Sequence, residues 1–181
     1  MRGTTIDLTR RQALLAGLGT AFFSAVGLDA GLADAATPAS LPANLVASLH
    51  AYADTLVPGA GGAGITRFVS AMLASDDPML FYKYLDVPLP PASFYAAGLA
   101  ALDELSIRQK KRPYAGLSRG DMKAVAGAVL DPELEGWTGP PPFLFYLTVK
   151  NDAIDVVYGT EAAYDRLNIP YMAHILPPTT W

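Results

Sequence analysis

Apolar residues recur along most of the chain at intervals of three and four, the spacing of one face of a helix. Leu45, Leu49, Tyr52 and Leu56 predict a first helix, which Val57-Pro58-Gly59 stops. After a glycine-rich turn, Ile65, Phe68, Val69, Met72 and Leu73 predict a second. A short third segment around Pro78 to Leu85 carries Phe81, Tyr84 and Leu85, and the run Val87-Pro88-Leu89-Pro90-Pro91 breaks it. Pro90 and Pro91 suit a helix start, and Tyr95, Leu99, Leu102 and Leu105 then mark one face of a longer helix. That helix runs out in the basic stretch Arg108 to Arg112, where cations offset the partial negative charge of a helix C-terminus. Ser118, with Asp121 three residues on, reads as the cap of another helix that turns Met122, Val125 and Val129 inward and ends at Pro132.

The strongest pattern runs from Phe143 to Tyr158, after Gly139-Pro140-Pro141-Pro142. Phe143, Leu147, Ile154 and Tyr158 make one face, and Tyr146, Val149, Ala153 and Val157 make another, so its first half is apolar nearly all round. Such a helix is either central to a core or pressed against another protein. Gly159 terminates it, and Thr160 caps a short helix ending near Arg166. From Ile169 to Trp181 there is no periodicity, and Pro170, Pro177 and Pro178 predict an extended arm. Sustained alternation of β-branched residues is absent from the sequence, and so are internal repeats. The expected fold is all-α, a compact bundle of about five to seven helices with an extended, proline-containing C-terminal tail.

Composition narrows the chemistry. The 181 residues are 51% hydrophobic and 17% charged, with a net charge of −4. That is too apolar for a disordered chain and too acidic for a surface whose main task is nucleic acid. There is no cysteine, which removes disulfides, thiolate metal sites and c-type haem attachment, and only two histidines, His50 and His174. The expectation is that this chain holds no cofactor, no metal and no catalytic residues of its own.

The N-terminus reads as an export signal over residues 1–35. Arg2, Arg10 and Arg11 precede a charge-free apolar stretch from Gln12 to Leu28, and Ala33-Asp34-Ala35 supplies a small-x-small cleavage site. Thr9-Arg10-Arg11-Gln12-Ala13-Leu14-Leu15 resembles the twin-arginine signal, without that pattern's phenylalanine and lysine. A general secretory signal or an uncleaved anchor is the alternative. Cleavage after Ala35 leaves 146 residues and the same net charge, read as a linker over 36–43 and one helical domain over 44–181. Twin-arginine export moves folded, often cofactor-loaded proteins. A chain with that signal and no cofactor motif fits a carrier that folds onto a cofactor-bearing partner.

Several motifs imitate catalytic ones. Gly59, Gly61 and Gly64 spell GxGxxG, with Asp86 beyond them, yet a helix and Pro58 precede the glycines where a dinucleotide fingerprint needs a strand. Gly116-Leu117-Ser118-Arg119-Gly120 matches the nucleophile-elbow pattern without the strand it requires, and helix capping accounts for Ser118. His50 and Asp54 lie one helical turn apart; two residues are not a site, and a partly buried, hydrogen-bonded histidine is the simpler reading. Asp152 and Asp155 read as the solvated or partner-facing edge of the last long helix.

The order of these pieces resembles the gluconate 2-dehydrogenase subunit 3 family from about Leu45 to Tyr171. The matching residues are the twin-arginine leader, Ala53-Asp54-Thr55-Leu56-Val57-Pro58 before a glycine-rich turn, and Tyr114-Ala115-Gly116-Leu117-Ser118 at a helix start. Phe143-Leu144-Phe145-Tyr146 before Val149-Lys150, and Val157-Tyr158-Gly159-Thr160, complete the set. Gly59 and Ala60 stand where the family usually places an acid. The resemblance implies a non-catalytic small subunit of a periplasmic sugar or polyol dehydrogenase complex. Its partner would be an FAD-dependent large subunit of the glucose-methanol-choline type, passing electrons to a c-type cytochrome carrying haem. The small subunit would act as folding chaperone and as carrier to the twin-arginine machinery, with Arg10 and Arg11 directing export and any membrane association arising through the complex. Phe143, Phe145, Tyr146 and Trp181 are the expected partner-facing residues. The alternatives are a free-standing secreted helical binding protein, or a small hydrolase using Ser118.

Overall fold

The computed structural model describes residues 41–131 and 134–170. Among them there is no strand, and seven α-helices follow one another: α1 (Ala43–Leu56), α2 (Ala60–Ala63), α3 (Ile65–Leu73), α4 (Pro91–Lys110), α5 (Arg119–Ala128), α6 (Pro142–Tyr158) and α7 (Glu161–Leu167). Two short 3-10 turns, Phe81–Tyr84 and Tyr114–Gly116, flank α4. All these elements fall within one compact unit of the chain. The all-α expectation holds, and the extended arm expected from Ile169 to Trp181 lies outside the described residues beyond Pro170. The export signal, with Arg10, Arg11, Ala33 and Ala35, lies outside the described residues, as do His174 and Trp181.

The helix ends follow their local chemistry. Both long helices open on proline at the first turn, where its missing N–H costs nothing. The Ser118 hydroxyl accepts from the Asp121 N–H, and the Thr160 hydroxyl accepts from the Ala163 N–H, so α5 and α7 are capped as the sequence predicts. The glycine-rich segment is more ordered than a plain turn. Gly59, at φ +97°, reverses the chain, and α2 closes one helical turn before Gly64, at φ +99°, reverses it again into α3.

The two apolar helices α1 and α6 sit at the centre, each packed against most of the others. Their meeting point is aromatic. Phe145 of α6 stacks on Tyr52 of α1 with ring centroids 5.5 Å apart and planes within 2°. Tyr114 meets Tyr52 edge-on at 5.4 Å, Trp137 lies 5.9 Å from Phe145, and Phe94 lies 6.2 Å from it. The ring of Phe145 fits into a notch on α4 because Gly98 has no side chain; a Cβ there would overlap it. Phe145 is therefore fully buried, which corrects its assignment as a partner-facing residue. An all-round apolar helix offers two candidate faces, and the notch at Gly98 selects the one that carries Phe145.

Helix-borne aspartates tie the connecting segments to this core. Asp54 accepts hydrogen bonds from the N–H groups of Gly59 at 3.0 Å and Gly61 at 3.3 Å, which holds the start of α2. Asp103 accepts from Tyr114 N–H at 2.9 Å and from the Ser48 hydroxyl at 2.8 Å, joining α4, α1 and the second 3-10 turn. Asp152 accepts from Phe81 N–H at 2.6 Å and from the Tyr95 hydroxyl, joining α6, α4 and the first 3-10 turn. Each carboxylate answers a backbone N–H that no helix ladder would satisfy.

The packing sets an expected contrast. Phe145→Ala should lower the free energy of unfolding by about 3–5 kcal/mol, since it empties the notch and unstacks Tyr52. Phe143→Ala, two residues away on the exposed side, should cost about 1 kcal/mol or less. Urea unfolding followed by circular dichroism measures both, and equal costs would contradict the assignment of the buried face.

Candidate functional site: an outward helix face and a glycine-lined groove

Most of the residues with apparent chemistry are committed to the fold. Asp152 is fully buried, not at a solvated edge as its spacing from Asp155 suggests. Burial, with a smaller push from nearby Asp155, raises its pKa to about 6 against the opposing effect of the Phe81 N–H and Tyr95 hydroxyl bonds. Burial and the Asp152 charge likewise push the Tyr95 phenol well above its ordinary value. A carboxyl that titrates near neutrality is a familiar general acid or base, but this one presents no surface to a substrate and bonds the fold with both oxygens. It acts as a latch.

His50 and Asp54 do share one side of α1 but serve different ends. Asp54 caps α2. His50 is exposed, contrary to the expectation of a partly buried histidine, and its imidazole lies on Gly61, where any Cβ would strike it. Ser118 is also exposed. Its hydroxyl donates to Asp121 Oδ2 at 2.7 Å and accepts from the Asp121 N–H. Lys110 sits 2.7 Å from Asp121 Oδ1, and this contact and the Ser118 hydroxyl hold the Asp121 carboxyl below the usual carboxylate range. The basic stretch closes α4: Lys111 adopts φ +63° and its ammonium reaches the Arg108 carbonyl at 3.3 Å. No three His, Cys, Asp or Glu side chains gather among the described residues in a way that could hold a metal ion.

What remains unused is surface. The face of α6 that turns away from the core carries Phe143, 50% exposed, Leu147 and Ile154, both half-buried, and Tyr158, 45% exposed. These positions span about 22 Å along the helix. Tyr146 lies beside Phe143 with ring centroids 6.4 Å apart, and the Lys150 ammonium sits 5.4 Å from the Tyr146 centroid. At its C-terminal end the stripe opens into a groove of about 500 Å³, walled by Pro58, Gly59 and Gly62 on one side and by Val157, Tyr158 and Arg166 on the other. Leu167 at the end of α7 and Ile169 beyond it are exposed as well. Of the four aromatic residues expected at a partner surface, the structure brings Phe143 and Tyr146 together at the surface and buries Phe145, while Trp181 lies outside the described residues. Sequence reading missed the groove; Gly59 and Gly62 were its visible trace, absorbed into a turn. No described helix is long and apolar enough to cross a membrane.

The Asp152 latch has a testable sign. Its folded pKa is raised from 3.8 to about 6, so the native state holds the proton more tightly than the unfolded chain, and this residue adds stability as pH falls from about 6 to about 4. Asp152→Asn keeps an oxygen for Phe81 N–H and should remove that gain, on the order of 2 kcal/mol, from the difference between melts at pH 7.5 and pH 4.5. Asp152→Ala should cost about 2 kcal/mol at pH 7.5 by leaving two buried donors unpaired, and about 4 kcal/mol at pH 4.5, where the wild type has gained the stability of its bound proton. Identical pH profiles for wild type and Asp152→Asn would contradict the latch.

A sequence profile of the family described as Gluconate 2-dehydrogenase subunit 3 matches residues 40–173. No curated protein and no solved structure matches the chain.

Proposed function

The chain belongs to the gluconate 2-dehydrogenase subunit 3 family, a family of dehydrogenase subunits, and from that premise we propose that it is the non-catalytic carrier of a flavoprotein partner. In this reading the partner is a large FAD-dependent subunit of the glucose-methanol-choline type that oxidises a sugar or polyol and hands electrons to a c-type cytochrome. The small subunit folds against it in the cytoplasm. Arg10 and Arg11 then take the pair through the twin-arginine machinery to the periplasm.

The observation that supports this best is the outward face of α6. A domain of this size normally turns its polar residues to water, yet Phe143 and Tyr158 stand half-exposed at the two ends of an apolar stripe. Aromatic side chains with a polar rim, here Lys150 over Tyr146, have the composition of an interface core. Among the described residues, Asp54, Asp103, Asp152 and Ser118 cap helices or hold loops. In this reading FAD and haem belong to the partners, whose binding energy would come from covering this stripe.

Two results are expected. The chain recovered from the periplasm of its native host should carry a flavin spectrum and a large dehydrogenase band, and changing Arg10 and Arg11 to Lys should leave that dehydrogenase in the cytoplasm. A colourless lone protein would instead favour a free-standing secreted binding protein. In the purified complex, Phe143→Ala should weaken association by about 2 kcal/mol, roughly thirtyfold in Kd, with little change in the melting temperature of the lone chain.

A further inference from the structure

The groove beside Tyr158 carries an inference that rests on the carrier reading and goes further. Its two walls belong to different elements, the turn into α2 on one side and the ends of α6 and α7 on the other. Gly59 has a backbone reason to be glycine, at φ +97°, and Gly61 has a steric one, the His50 ring. Gly62 has neither. It sits inside α2 without a positive φ, and a Cβ there would meet nothing within 4 Å. Gly62 lines the groove, and a Cβ there would stand in open space, so a large side chain at 62 has room to occupy the groove without striking the fold.

The opposite wall supplies charge. Arg166 is exposed, and among the described residues its guanidinium makes one hydrogen bond, from Nη2 to the Val157 carbonyl at 3.3 Å. That bond fixes the side chain across the end of α6 and leaves the other donors of the fork free, with no carboxylate of the described residues paired to it. Tyr158 belongs both to this wall and to the apolar stripe, so groove and stripe form one continuous surface.

We infer that this groove receives a carboxylate-bearing segment of the dehydrogenase subunit, with Arg166 pairing the carboxylate, Tyr158 packing on the adjoining apolar side chain, and Gly62 keeping the channel clear. A segment seated this way would fix the register of the partner along α6. It would act as a specificity contact at the end of an otherwise non-directional apolar stripe.

The test uses the full chain in complex with its dehydrogenase subunit. With p-benzoylphenylalanine in place of Tyr158, irradiation should give a cross-link to a peptide of the dehydrogenase subunit that contains an Asp, a Glu or the chain's C-terminus. Arg166→Glu and Gly62→Trp should each lower the dehydrogenase activity recovered with the chain by about tenfold or more, while Arg166→Lys retains part of it. Gly62→Ala should raise the melting temperature of the lone chain. Melting curves of the lone variants check folding, and Arg166→Glu, at an exposed position, stands as the test where Gly62→Trp does not fold. Recovery of activity at the wild-type level with both variants, or a cross-link to a second copy of this chain, would overturn the groove assignment and leave the carrier reading intact. Failure of the wild-type chain to bring down any dehydrogenase would overturn the carrier reading itself.

Discussion

The seating of Phe145 against Gly98 is the contact on which the rest of the structure depends. It fixes the rotation of α6 about its own axis, because a ring in that notch forces Val149, Ala153 and Val156 to follow it into the core. The same rotation brings Asp152 under Tyr95 and the Phe81 N–H, and it turns Phe143, Leu147, Ile154 and Tyr158 outward. The first half of this helix is apolar on nearly every side and has little preference of its own between these orientations. The preference comes from a missing side chain on a different helix, 47 positions earlier in the sequence.

Polar chemistry in this chain works mainly on connections. Asp54, Asp103 and Asp152 each sit on a helix and each reach a backbone N–H of a short irregular segment. The third is the expensive one, since its charge is buried with no cation among the described residues paired to it and its pKa rises to about 6. The structure tolerates this because both carboxylate oxygens receive a proton donor, and because neutralisation costs little near pH 6. A raised carboxylate pKa is often a mark of catalysis; here geometry decides otherwise, as the group is sealed from any substrate. Ser118 and Asp54 are occupied differently, Ser118 by the cap it makes with Asp121 and Asp54 by the N–H groups of Gly59 and Gly61.

Much of the fold was legible in the sequence. Stripes at three- and four-residue spacing gave the long helices, and proline, Ser118 and Thr160 gave their starts, because these signals act within one turn of backbone. The family resemblance was legible for the same reason, through short blocks in a fixed order. The burial of Asp152 was not, since a pair of aspartates on a helix looks like a solvated edge unless the donors waiting for it, 71 and 57 residues earlier, are known. Phe143 and Phe145 could not be told apart either: two positions separated by half a helical turn point to opposite sides, and only the notch at Gly98 says which side is inside. The groove escaped because its two walls come from segments about a hundred residues apart, and glycines in a turn suggest nothing more than a turn.

The proposed meeting of the outward face of α6 with a dehydrogenase partner is tested most directly by oxidative footprinting of aromatic side chains in the lone chain and in the complex. Phe143 and Tyr158 should be labelled in the lone chain and protected in the complex, with Phe145 protected in both. Equal labelling of Phe143 and Tyr158 in the two states would contradict it.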